Sequence, residues 1–103
     1  MFAVFRSAAF ERKLERMPND FVHWVDKIES QLCANPHVGD QLRVPWFREK
    51  KLGTFRIYYL IYEDLHAVYI VNMSEKKDQQ RVIDTIFLLL DLYRDEIQKM
   101  VRS

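Results

Sequence analysis

The sequence predicts an α+β fold: two N-terminal helices, a small, mostly antiparallel sheet from the middle third, and a long C-terminal helix. Three observations carry this. Apolar residues recur at helical spacing before Cys33 and again after Ser74. Between them lie FRIYYLIY (Phe55–Tyr62) and AVYIVNM (Ala67–Met73), two runs rich in aromatic and β-branched residues. Only two glycines and three prolines interrupt the 103 residues, so most of the chain should be regular structure.

In chain order, Phe2 to Phe5 reads as a short strand. Ser7 is placed to cap a helix whose apolar positions are Phe10, Leu14 and Met17. Pro18-Asn19-Asp20 ends that helix and starts the next. The second helix is expected from about Phe21 to Cys33, with Phe21, Trp24, Val25, Ile28 and Leu32 on its apolar face and Asn35-Pro36 as its stop. A loop through Gly39 follows, strand character returns around Trp46, and Leu52-Gly53-Thr54 reads as a turn into Phe55–Tyr62. Glu63-Asp64-Leu65-His66 connects that strand to its partner. Ser74 is expected to cap the final helix, with Lys76 to Asp78 in its first turn and Val82, Ile83, Ile86, Leu89, Leu90, Tyr93 and Ile97 as an apolar stripe reaching Met100. The whole is expected to be one domain over residues 1–103, its final helix over about 75–100.

Composition excludes several classes. The single cysteine, Cys33, rules out an intrachain disulfide framework, and no Cys/His spacing suits zinc. His23, His37 and His66 share no motif and read as surface or packing residues, so no metal or other cofactor is implied. No signal peptide is legible, and the longest apolar run, Ile86 to Leu90, is far too short to span a membrane, so a cytoplasmic location is expected.

The formal net charge is only +1, but its distribution is uneven. Arg43, Arg48, Lys50, Lys51 and Arg56 face one anion, Glu49, over that stretch, and Lys76, Lys77 and Arg81 follow the last strand. Alternation puts Arg48 and Lys50 on one strand face. Pairing with the next strand is expected to bring them beside Arg56 and Lys76 in one concavity. Such a cluster suits phosphate, which arginine clamps and lysine neutralises. It also suits metal-independent phosphodiester cleavage, where cations stabilise charge developing on the phosphate oxygens. The same residues also suit solvated strand edges, where they discourage sheet-to-sheet pairing. Tyr58, Tyr59, Tyr62 and Tyr69 read either as base-stacking aromatics or as packing between sheet and helices, and Asp91, Asp95 and Glu96 as a solvated helix face.

The stretch from Asn35 to Asp84 carries a resemblance. Its marks are a helix ending at Asn35-Pro36, the pair Leu42-Arg43, and a basic strand ending in Gly53. An arginine then lies within an aromatic strand (Gly53-Thr54-Phe55-Arg56), and the dipeptide Lys76-Lys77 follows the hairpin. The chain resembles the RelE/ParE superfamily of toxins from type II toxin–antitoxin modules, the plasmid-stabilisation family. Phe10, Leu14 and Met17-Pro18 match it more loosely. The resemblance implies a β-α-α-β-β-β unit with a mobile or docked C-terminal helix, silenced by a cognate antitoxin. RelE-like members cut mRNA bound to the ribosome without a metal; ParE-like members poison DNA gyrase.

Residue by residue, Arg56 matches the family's strand arginine. Arg48 with Lys50, or in a shifted register Glu49 with Lys51, matches the basic strand, and Lys76 matches the cation that opens the last helix. Arg56, Lys50, Lys51 and Lys76 are therefore the implied catalytic set, with Arg43, Arg48, Lys77 and Arg81 holding RNA phosphates. One departure stands out. RelE-type nucleases carry a Tyr or His soon after that last cation, and this chain has Asp78-Gln79-Gln80-Arg81. Glutamine takes no proton at neutral pH, which leaves the general base to a lysine of the cluster or favours a non-catalytic inhibitor or retired toxin. The expected function is an endoribonuclease toxin inhibiting translation. The long final helix is left to pack in the core, pair two chains as a homodimer, or cap the basic face.

Overall fold

A computed structural model describes residues 1–103. The first strand, β1 (Ala3–Arg6), leads to α1 (Ala8–Leu14) and α2 (Asn19–Ala34). Then come β2 (Asp40–Leu42), β3 (Val44–Leu52), β4 (Phe55–Tyr62), β5 (Ala67–Glu75), α3 (Gln79–Leu88) and α4 (Leu90–Arg102). The strands form one sheet in the order β1-β5-β4-β3-β2. Only β1 is parallel to its neighbour, β5; the other pairings are antiparallel.

Local chemistry accounts for most boundaries. Ser7 caps α1 as expected: its Oγ accepts from the Phe10 N–H at 3.1 Å and donates to the Val71 carbonyl at 2.7 Å, so the cap also ties the helix to β5. The Asn35 N–H donates to the Gln31 carbonyl where α2 ends, and Pro36 cannot continue it. Gly53, at φ 61°, makes the two-residue β3–β4 turn in a conformation that favours glycine. His66 takes φ 52° at the close of the β4–β5 connection and stacks on Phe2 at 4.2 Å.

The sheet is covered on both faces. One core, around Phe10, Val25, Leu32, Ile57, Tyr59 and Ile70, lies under α1 and α2. The other, around Phe47, Tyr58, Leu60, Tyr69, Ile86 and Ile97, lies under α3 and α4. The C-terminal segment therefore takes the core role among the three left open for it.

Three expectations are corrected. The C-terminal helix is two helices, broken at Leu89 (φ −107°, ψ 14°), without the glycine or proline that would mark a break in sequence; both pieces pack on β5. Ser74 is not a helix cap: β5 runs through it to Glu75, its hydroxyl is buried against Tyr58, and a single 3₁₀ turn over Lys76–Asp78 precedes α3. The Gly39 loop also contributes a short strand, β2, which turns into β3 through Arg43 at φ 64°.

Gly39 is required by close approach. A Cβ there would lie 2.5 Å from the Glu49 carbonyl oxygen and 2.6 Å from the Tyr59 hydroxyl. That hydroxyl accepts from the Gly39 N–H at 3.0 Å and donates to the Pro36 carbonyl at 2.6 Å, pinning the α2–β2 connection to β4. Tyr59→Phe orphans both groups and is expected to cost about 1–3 kcal/mol in urea unfolding; Gly39→Ala should cost a similar, roughly 1–3 kcal/mol through overpacking.

Burial raises the phenol pKa of Tyr58, Tyr59, Tyr62, Tyr69 and Tyr93, that of Tyr62 from 10.0 to about 12. The folded chain keeps these protons where the unfolded chain has lost them. The tyrosines' contribution to stability should therefore be flat below pH 10 and fall as pH rises toward 12. Thermal melts across that window, with phenolate absorbance, check this: the tyrosines should ionise together with unfolding.

Candidate phosphate-binding site

The short turn at Gly53 and Thr54 fixes the register of β3 against β4. Lys51 lies opposite Arg56 and Glu49 opposite Tyr58, while Arg56 lies opposite Ser74 on β5. Alternation then places Glu49, Lys51, Arg56, Tyr58 and Ser74 on the α3/α4 face. Of the two registers left open in sequence, the one with Glu49 and Lys51 is the one that meets Arg56.

Arg48 and Lys50 fall on the opposite face, so the expected convergence of all the cations does not occur. Arg48 serves the backbone: its guanidinium donates to the carbonyls of Pro45 at 2.8 Å, His37 at 3.1 Å and Gly39 at 2.9 Å. Lys50 is half-buried on that side.

Arg56 is 8% exposed. Its Nη1 donates to the carbonyls of Phe55 at 3.0 Å and Gly53 at 3.4 Å. Its Nε has no hydrogen-bond partner and lies 4.0 Å from Glu49 Oε2. Glu49 is itself buried, and its Oε1 accepts from Gln79 Nε2 at 2.6 Å. Beside them the Tyr58 and Ser74 hydroxyls hydrogen-bond at 2.8 Å. Burial is the main cause of the raised Tyr58 pKa, so this phenol stays protonated at neutral pH.

The remaining cations ring this network. Lys51 is exposed and lies 3.7 Å from Asp40. Lys76 is exposed, and its N–H donates to the Thr54 carbonyl at 2.9 Å, which brings it to the β3–β4 turn. Lys77 pairs with Glu75 at 3.5 Å and Arg81 with Asp78 at 3.6 Å. Arg43 bonds Asp84 at 2.8 Å and stands over the Phe87 ring at 5.0 Å, tying the β2–β3 bend to α3. This bond is the main cause holding the Asp84 carboxyl below its ordinary pKa.

Glu49, which stood in sequence only within one of two open registers, and Gln79, which stood there only as a departure from the resemblance, are the side chains that meet beside Arg56. The signal for Glu49 was present: counting back from a two-residue turn puts Lys51, then Glu49, on Arg56's face. Nothing in sequence indicated that Gln79 reaches across to β3. Glu96 is also more than a solvated acid, since it accepts from the Tyr69 hydroxyl at 2.9 Å. No three His, Cys, Asp or Glu side chains converge as metal ligands, and no helix is long and apolar enough to cross a membrane.

This chain has the RelE-like fold. The isolated E. coli RelE toxin superposes with a TM-score of 0.65 at 10% identity, covering 80% of this chain and 99% of that one. RelE in the intact E. coli RelBE toxin–antitoxin complex gives 0.65 at 10% identity, over 73% and 96%. The RelBE2 toxin–antitoxin complex of Mycobacterium tuberculosis gives 0.63 at 23% identity, over 72% and 96%. No protein-family model matches the sequence, and no curated protein matches it.

Breaking a buried ion pair from one side strands the other charge. Glu49→Ala is accordingly expected to destabilise the chain by about 3 kcal/mol in urea unfolding. Lys51→Ala, at an exposed position, should stay within about 0.5 kcal/mol.

Proposed function

We propose that this chain is the toxin of a toxin–antitoxin pair and that its Arg56 site cleaves ribosome-bound mRNA, inhibiting translation in the cytoplasm. The observation that carries the reading is the in-register row of Lys51, Arg56 and Ser74, with Lys76 at the same end of the sheet. Three cations there can meet one phosphate. The likeness to RelE solved with its antitoxin supports an antitoxin as partner.

In the proposed reaction the ribose 2′-hydroxyl attacks phosphorus, the bond to the 5′-oxygen breaks, and that oxygen takes a proton from water to leave as a hydroxyl, giving a 2′,3′-cyclic phosphate. Negative charge builds on the non-bridging oxygens, where Arg56, Lys51 and Lys76 stabilise it. The 2′-hydroxyl proton needs an acceptor. On Arg56's face two groups can take it: Lys51 in its neutral form and the Glu49 carboxylate. Lys50, on the other face, is excluded from that role.

A second reading rests on one specific feature. Glu49 neutralises Arg56 beneath Gln79, where the RelE resemblance calls for a Tyr or His nearby. In that reading the chain is a non-catalytic inhibitor, with DNA gyrase as target, or acts only through antitoxin contacts.

The test is mRNA cleavage in a purified translation system, mapped by primer extension. Wild type should cut in ribosome-occupied codons. Arg56→Ala should lose about 10²–10³ in rate, whereas Lys50→Ala should stay within about threefold, as expected for a residue that meets no transition-state charge. pH–rate profiles of Lys51→Ala and Glu49→Gln identify the base, since only the variant lacking it loses the fall in rate at low pH. Normal translation with no cuts selects the second reading.

A further inference from the structure

On the other side of the sheet end, α1 and α3 enclose a cleft of about 260 Å³ lined by Lys13, Arg16 and Arg81. Ser74 lines it too, so the cleft adjoins the Arg56 row through the end of β5. The cations there are poorly compensated. Arg81 lies 3.6 Å from Asp78, the one carboxylate in the lining. Lys13 donates to the Met73 carbonyl at 2.8 Å, and neither it nor Arg16, both exposed, makes an ion pair. Burial first, and Arg81 second, pull the Lys13 pKa down, with Asp78 opposing them. A smaller hollow of about 200 Å³ beside Arg12, Lys13 and Arg16 extends the basic surface along α1.

The cleft continues into an apolar one. Met17 and Phe55 line both it and a neighbouring hollow of about 410 Å³ that ends at Trp24. Phe21 packs edge-on to Phe55 at 5.3 Å, and Trp24 is 52% exposed with the Lys27 ammonium 4.7 Å from its ring centre. Cations, then an exposed aromatic platform, then a further cation is the alternation a single polynucleotide strand presents, phosphate by base. The guanidinium forks of Arg16 and Arg81 match phosphate oxygens.

We infer that the α1–α3 cleft, with Arg16 and Arg81 as its phosphate contacts and the Trp24 platform beyond it, is a binding track for single-stranded RNA leading to the Arg56 site. The inference rests on the RNA-directed reading of that site and adds residues of α1 and α2 to it. None of these side chains takes part in the proposed bond-breaking step.

The test is equilibrium binding of fluorescein-labelled oligouridine to the full chain by anisotropy, over a range of salt concentrations. Arg16 and Arg81 are exposed, so the Arg16→Ala/Arg81→Ala double variant should keep the wild-type thermal melt. It is expected to lose at least about tenfold in affinity, and its salt slope should be shallower by about 1.4, the value for two lost phosphate contacts on a single strand. Lys99→Ala, exposed on α4 and away from both sites, should bind within about threefold of wild type. That pattern upholds the track even where no mRNA is cut, an outcome that strikes the catalytic reading alone. Wild-type affinity and slope in the double variant overturn it. So does polyglutamate binding that the double variant abolishes while oligouridine does not bind, since the cleft would then belong to an acidic peptide.

Discussion

Because β4 and β5 are buried on both faces, every side chain along them must be accepted by one of two helical layers, and odd or even position decides which, with one inversion at the β5 bulge after Ile70. This parity is the constraint from which the rest follows. It sorts Ile57, Tyr59 and Ile61 under α1 and α2, and Tyr58 and Leu60 under α3 and α4. It also carries Arg56 into a crowded interior, where a guanidinium persists only if its charge and donors are met. The carbonyls of Gly53 and Phe55 and the Glu49 carboxylate supply most of that, leaving the Nε as the unmet donor. A one-residue slip of β3 would put Arg48 or Lys50 in the place of Glu49, opposite Tyr58, leaving Arg56 in a low-dielectric space with no anion beside it.

The two sides of the sheet end thus divide the chemistry. On Arg56's face the innermost charges, Arg56 and Glu49, are buried and paired. On the α1 side they are numerous, more open to solvent and short of counter-charge. An anionic strand reaching the first side would gain electrostatic attraction from the second without displacing any buried group, the arrangement in which long-range steering is effective and salt-sensitive.

Much of this architecture was legible in the sequence. The order of elements, the Ser7 cap, the Asn35-Pro36 stop and the limits of β4 were written in local residue chemistry, which the fold leaves unopposed. The strand arginine was likewise visible through its setting after Gly53-Thr54-Phe55. The break at Leu89 was not, since no backbone-breaking residue marks it and the stripe from Val82 to Ile97 remains consistent with one straight helix. Ser74 misled because a serine before charged residues satisfies the local rule for a cap, whereas the β5 ladder and the Tyr58 hydroxyl, distant in sequence, hold it in the strand. The site was misjudged for a related reason: density of cations along β3 says nothing of which face each one takes.

The pairing of β1 with β5 has a kinetic meaning. Ala3 has no ladder partner until Ala67 exists, and Arg6 none until Ile70. A chain emerging N-terminus first can wind α1 and α2 early, yet their apolar faces wait on a sheet whose centre is made much later. The β3–β4–β5 meander closes by short connections and can assemble alone, so loop-closure entropy favours its forming first. The beginning of the chain is then the last piece of the sheet to be laid down, and the molecule becomes complete only after most of it has been synthesised.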